Sequence, residues 1–84
     1  MATAASRELY RNWVIKALKA LGPSTPGQVY TWVRTNETVP ASDLARSTAD
    51  GKDTLFEKEI RWARKDLFDK GIVVSPTRGV WALS

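Results

Sequence analysis

Cysteine and histidine are both absent from this 84-residue sequence. Without cysteine, no disulfide can staple the fold and no thiolate can hold a metal ion. Losing histidine removes the commonest general base together with the commonest metal ligand, so Ser–His and Cys–His nucleophile pairs are excluded. Long apolar runs are missing as well. No stretch approaches the roughly 20 residues that a membrane-crossing helix needs, and no membrane partner is expected. The opening Met-Ala-Thr-Ala-Ala-Ser has no apolar centre and is expected not to act as a secretory signal. A cytoplasmic protein without a cofactor is the resulting expectation.

What is present suffices for one small domain. Hydrophobic residues make up 43% of the chain and include four tryptophans, enough for a single core at this size. The net charge is +4, which permits nucleic-acid binding without demanding it. Residues 1–51 carry six Lys/Arg and four acids, and residues 52–84 carry seven and five, so each half is +2. The total therefore singles out no face. The pattern has to do that.

The most informative stretch runs from Thr54 to Ser84. Phe56, Ile60, Ala63 and Leu67 recur at helical spacing and form one apolar stripe. Lys58, Arg61, Trp62 and Lys65 fall on the far side, a basic face with one large aromatic on its flank. Thr54 and Glu57 form a capping-box start, and Gly71 is a C-terminal stop. Ile72-Val73-Val74 then reads as a β-branched strand, Ser75 to Gly79 as a turn, and Val80 to Leu83 as a returning strand. A basic helix followed at once by a hairpin with a cationic tip has the form of a winged helix.

Upstream segments read as support for that unit. Residues 1–5 are expected to be a flexible tail and 6–84 one domain. Ser6 is the N-cap of a first helix whose Tyr10, Trp13, Val14, Ala17, Leu18 and Leu21 lie on one side, and Gly22-Pro23 ends it. Thr25, Pro26 and Gln28 then give a second capping-box start, with Val29, Tyr30 and Val33 inward and Trp32 on a shoulder. A short helix beginning at Ala41 would be anchored by Val39, Leu44 and Ala45, and Thr48 to Asp53 reads as a loop. The fold class expected is mainly α with a small β-hairpin, a winged helix-turn-helix. Its helices cover 6–21, 26–35, 41–47 and 55–70, and its strands 72–75 and 79–83.

The segments Arg61-Trp62-Ala63-Arg64-Lys65-Asp66-Leu67 and Ser75-Pro76-Thr77-Arg78-Gly79-Val80-Trp81-Ala82-Leu83 resemble the Mrr N-terminal domain family. The likeness extends back to Ala17-Leu18-Lys19-Ala20-Leu21-Gly22, the Val29-Tyr30 pair and Asp43-Leu44-Ala45, and so covers nearly the whole chain from Leu9. That family is a winged-helix module typically placed ahead of a nuclease domain in modification-dependent restriction endonucleases. The resemblance implies binding to double-stranded DNA with sensitivity to methylated adenine or cytosine, and homodimerisation through a parent protein. The sequence to Ser84 includes no nuclease domain of its own, and an excised sensor domain and a stand-alone protein both remain open.

Each candidate contact has a plain reading beside it. Lys58, Arg61 and Lys65 are either a solvated helix face, with Glu57, Glu59, Asp66 and Asp69 as partners, or a DNA-reading face. In the second case Arg61 makes a bidentate base contact in the major groove while Lys58 and Lys65 meet phosphates. Lys52 and Thr54 would flank that face at the start of the helix. Arg78 and Thr77, at the turn of the wing, are either loop residues or contacts to the backbone or minor groove. Thr25 and Gln28 are explained by capping, with a phosphate on the helix N-terminus as the second reading. Trp62 either packs against the first helix or the wing, or offers an apolar surface to a base methyl group. Trp13 and Trp81 read as core, and Trp32 as core or partner contact.

Catalysis has little support. Asp50-Gly51-Lys52 matches the tail of a nuclease Asp/Glu-x-Lys pattern, but in a loop without the second acid that would hold a divalent cation. The chain is expected to be a non-catalytic domain. Two function classes follow: a DNA-binding targeting module of a modification-dependent nuclease, and a winged-helix module for protein interaction or dimerisation through Trp32, Trp62 and the hairpin edge.

Overall fold

A computed structural model describes residues 5–45 and 54–84 of the chain. Four helices come first, α1 (Arg7–Leu21), α2 (Pro26–Asn36), α3 (Ala41–Ala45) and α4 (Leu55–Asp69), and a two-stranded antiparallel hairpin, β1 (Val73–Val74) and β2 (Ala82–Leu83), closes the chain. Mainly helical with a small sheet, as the periodicity predicts, is the observed class.

Local chemistry accounts for the helix boundaries. The Ser6 hydroxyl accepts the Leu9 N–H at 3.1 Å and starts α1. Full capping boxes start α2, between Thr25 and Gln28, and α4, between Thr54 and Glu57. At the far end of α4 the Ile72 N–H donates to the Leu67 carbonyl at 2.9 Å and the Gly71 N–H to Phe68 at 3.0 Å. Those two bonds define a Schellman stop, and Gly71 takes the φ of 77° that it requires.

The core lies where α1, α2 and α4 meet. Tyr10, Trp13, Val14, Ala17 and Leu18 of α1 face Phe56, Ile60, Ala63 and Leu67 of α4, with Val29 and Val33 of α2 at the side. The Tyr10 and Trp13 rings meet edge to face at 4.9 Å between centroids, and Tyr10 lies 6.2 Å from Phe56. Trp81 closes the open end and is buried, as is Trp13. Leu21, expected inside, is instead 43% exposed, because the chain leaves α1 at Gly22 before its last side chain is covered.

Two expectations about short elements need correction. The α3 anchors were expected to be Val39, Leu44 and Ala45. Val39 and Leu44 are half-buried and pack against the core as expected, but Ala45 is exposed and Asp43 is the fully buried residue. The Tyr10 hydroxyl donates to Asp43 Oδ2 at 2.8 Å, and the Ala5 N–H donates to the same oxygen at 3.2 Å. Asp43 thus adds a polar tie between α3 and α1 to this apolar packing. Ala5, the last residue of the expected tail, is itself buried. Residues 46 and 47, assigned to this helix from sequence, lie outside the described residues.

The strands are also shorter than the predicted 72–75 and 79–83. Val73 pairs with Leu83 and Val74 with Ala82. Beyond Val74 the Ser75 hydroxyl donates to the carbonyls of Thr77 and Val80, and the Val80 N–H closes a turn onto Thr77 at 3.0 Å. These local bonds replace the ladder. Trp81 pairs elsewhere: its N–H donates to the Ser24 carbonyl at 2.8 Å, and its carbonyl accepts from the Ser24 N–H at 2.9 Å. The segment between α1 and α2 is thereby stitched to the hairpin.

Candidate nucleic-acid interface

With Phe56, Ile60, Ala63 and Leu67 buried, α4 must turn its opposite stripe to solvent, and that stripe carries Lys58, Arg61 and Lys65, all exposed. The acids of α4 are largely engaged off it. Glu57 closes the cap, Glu59 meets Arg7 of α1 at 3.4 Å, and Asp66 lies between Arg11 at 3.6 Å and Lys70 at 3.0 Å. Asp69 pairs with Lys65 at 3.6 Å across one helical turn. The ion pairs that the spacing offered within α4 are mostly spent tying it to α1 and closing its ends.

Neighbouring elements frame the stripe. From α2, the Tyr30 hydroxyl accepts a bond from Arg61 Nη1 at 3.4 Å. From the hairpin, Trp81 lies under Arg64, whose guanidinium carbon is 5.5 Å from the indole centroid and 5.6 Å from the Phe68 ring. Arg61, Arg64, Lys65, Phe68, Asp69 and Trp81 together line a pocket of about 370 Å³ between α4 and the hairpin. At the tip of the hairpin Thr77 and Arg78 are exposed, and Gly79 with φ 79° allows the chain to reverse there.

The remaining predicted residues fall into other settings. Trp62 is half-buried and packs against α1, with the guanidinium carbons of Arg7 and Arg11 at 4.1 and 5.3 Å from its ring centroid. Of its two sequence readings, packing against the first helix is the arrangement observed. The hydroxyls of Thr54 and Thr25 accept the N–H groups of Glu57 and Gln28 as caps. Thr25 and Gln28 also line a separate groove of about 610 Å³ beside Trp32 and Leu21. Lys52 lies outside the described residues.

Sequence reasoning missed Arg64, Phe68 and Tyr30. The signal for the first two was present: Phe68 follows Arg64 by four and Arg61 by seven, so an apolar ring stands on an otherwise charged face. It is 46% exposed. Tyr30 could not be found that way, because only the packing of α2 on α4 brings it to Arg61.

The Mrr N-terminal domain family matches this chain over residues 9–84, from within α1 to the end of the hairpin. No curated protein and no solved structure matches it.

Proposed function

The chain belongs to the Mrr N-terminal domain family, a domain of restriction-endonuclease-type proteins, and on that footing we propose that it is a winged-helix module that binds double-stranded DNA. The observation that carries this reading is the exposed stripe of Lys58, Arg61 and Lys65 on the helix that directly precedes the hairpin. The pairing of Ser24 with Trp81 supports the winged-helix assignment, since it adds a third extended segment to the hairpin as such folds do.

In this arrangement α4 enters the major groove. Arg61 offers a planar fork to a base edge, and the Tyr30 hydroxyl restrains where that fork points. Lys58 and Lys65 reach the phosphates on either side, and Thr77 and Arg78 bring the hairpin tip to the backbone or the minor groove. The module itself is non-catalytic and targets an associated nuclease to methylated adenine or cytosine. The part of the half-buried Trp62 left uncovered beside Arg61 is the apolar surface this reading gives to a base methyl group, which adds apolar contact without charge.

The experiment is a titration into three matched short duplexes: unmodified, methylated at adenine N6, and methylated at cytosine C5. Each is measured at two salt concentrations. Binding that weakens with salt is expected, because phosphate contacts release counterions. A preference for one methylated duplex that survives the higher salt is expected as well. Equal binding to all three would leave a general DNA clamp, and no binding at low salt would overturn the DNA reading.

A further inference from the structure

We propose that the pocket between α4 and the hairpin seats one sugar–phosphate unit of a DNA backbone, with Arg64 and Lys65 on the phosphate and Phe68 against the deoxyribose. The proposal rests on the DNA-binding reading above and adds to it a site that neither the charge pattern nor the capping pattern exposes.

Three features of the pocket converge on that ligand. Its lining carries three cations, Arg61, Arg64 and Lys65, against one acid, Asp69, so it favours an anion. Arg64 is half-buried and its guanidinium is steadied between the rings of Phe68 and Trp81, so little side-chain freedom is lost when it meets a phosphate. The third feature is Phe68 itself. It is 46% exposed at the pocket wall, although the residue before it, Leu67, is fully in the core. A bare phosphate would need the cations and would gain nothing from an aromatic wall. A phosphate joined to deoxyribose uses both, because the sugar presents a C–H surface beside the phosphate, joined to it through the ester oxygen.

The pocket also adjoins Arg61, so a backbone unit held there fixes the distance of α4 from the groove. In this role Arg64 and Phe68 set register while Arg61 reads the base.

The test uses the full chain and an unmodified duplex, with Phe68→Ala, Arg64→Met and, as a control, Ile72→Ala. Ile72 is exposed to a similar extent but lies outside the pocket lining. Phe68→Ala is expected to weaken binding about fivefold, in proportion to the apolar surface it would cover, with the salt slope unchanged. Arg64→Met keeps the stem over Trp81, and it is expected to weaken binding and lower the slope by about one phosphate contact. Ile72→Ala is expected to bind as the parent does. If both pocket variants bind the duplex like the parent, the pocket assignment falls while the DNA reading stands. A parent chain that fails to bind at low salt overturns both. A second readout separates the ligand's two halves: the duplex should shift the Phe68 ring resonances, and inorganic phosphate at matched ionic strength should shift them much less. Equal shifts with phosphate would reduce the pocket to a simple anion site and overturn the sugar contact.

Discussion

Arg7 and Trp62 are stacked across the contact between α1 and α4, with the guanidinium carbon 4.1 Å from the indole centroid. The same Arg7 reaches the buried carboxylate of Glu59 through Nε at 3.4 Å. One side chain thus covers an aromatic ring and neutralises an acid on the same helix. Arg11 repeats the arrangement one turn later, 5.3 Å from the Trp62 ring and 3.6 Å from Asp66. What reads in sequence as surface charge is here the seam between two helices.

That seam should be measurable as a coupling. Trp62→Ala is expected to destabilise the domain by about 2 kcal/mol, less than a fully buried aromatic because the ring is half-covered. Arg7→Ala should also destabilise, since it leaves the Glu59 carboxylate buried without its cation. In urea unfolding of both single variants and the double, a coupling of about 0.5–1 kcal/mol is expected from the stacked pair. Strict additivity would show that the stacking contributes nothing.

A second prediction concerns alkaline pH. Burial, the hydrogen bond to Asp43 and the charges of Asp43 and Glu59 together push the Tyr10 phenol well above its ordinary range. In the unfolded chain the same phenol titrates near pH ~10. Above that value the unfolded state releases the proton while the native state keeps it, so stability falls as pH rises. Below it the contribution is constant. Unfolding free energy measured from pH 8 to 11 should therefore drop with a slope that is shallower in Tyr10→Phe. That variant should also lose about 1–3 kcal/mol at neutral pH, because Asp43 is left buried without its hydroxyl donor. Identical pH slopes would remove Tyr10 as the cause.

The contrast between these two sites shows what was legible in the sequence. Phe56, Ile60, Ala63 and Leu67 announce their burial by spacing alone, and Thr54 with Glu57 announces a helix start, because both signals are local and periodic. The helix order and the hairpin followed from them. Asp43 could not be found this way: an acid in a five-residue helix looks exposed until Tyr10, 33 positions away, supplies its donor. Trp62 stayed ambiguous for the same reason, since the cations that cover it come from another helix. At the candidate interface the stripe of Lys58, Arg61 and Lys65 was visible, but the pocket was not. A pocket needs two elements, and Trp81 reaches α4 only after the hairpin has folded back.

The stripe makes a quantitative prediction of its own. If Lys58 and Lys65 meet phosphates, Lys58→Gln and Lys65→Gln should each lower the slope of log K against log salt by about 0.9, with the same loss on every duplex. Arg61→Gln should behave differently. It is expected to cost about 1–3 kcal/mol on the preferred duplex and less on others, because a base contact is lost and not only a charge. Equal losses on all duplexes for Arg61→Gln would move it from base reading to the backbone.

Asp69 yields the most counterintuitive expectation, a gain of binding on removal of a charge. It is the last residue of α4, where the helix dipole disfavours an acid, and its pair with Lys65 is largely exposed. Asp69→Asn should therefore change stability by no more than about 0.5 kcal/mol. Yet Asp69 lines the pocket beside Arg64 and Lys65, where it would repel an incoming phosphate and occupy one of the cations that meets it. Asp69→Asn is expected to tighten DNA binding about threefold at low salt, with the gain fading as salt screens the repulsion. The check is a pair of titrations, parent and variant, at two salt concentrations. Weaker binding by the variant at both would mean that the carboxylate accepts a bond from a base amine, and α4 would then present its C-terminal turn to the groove.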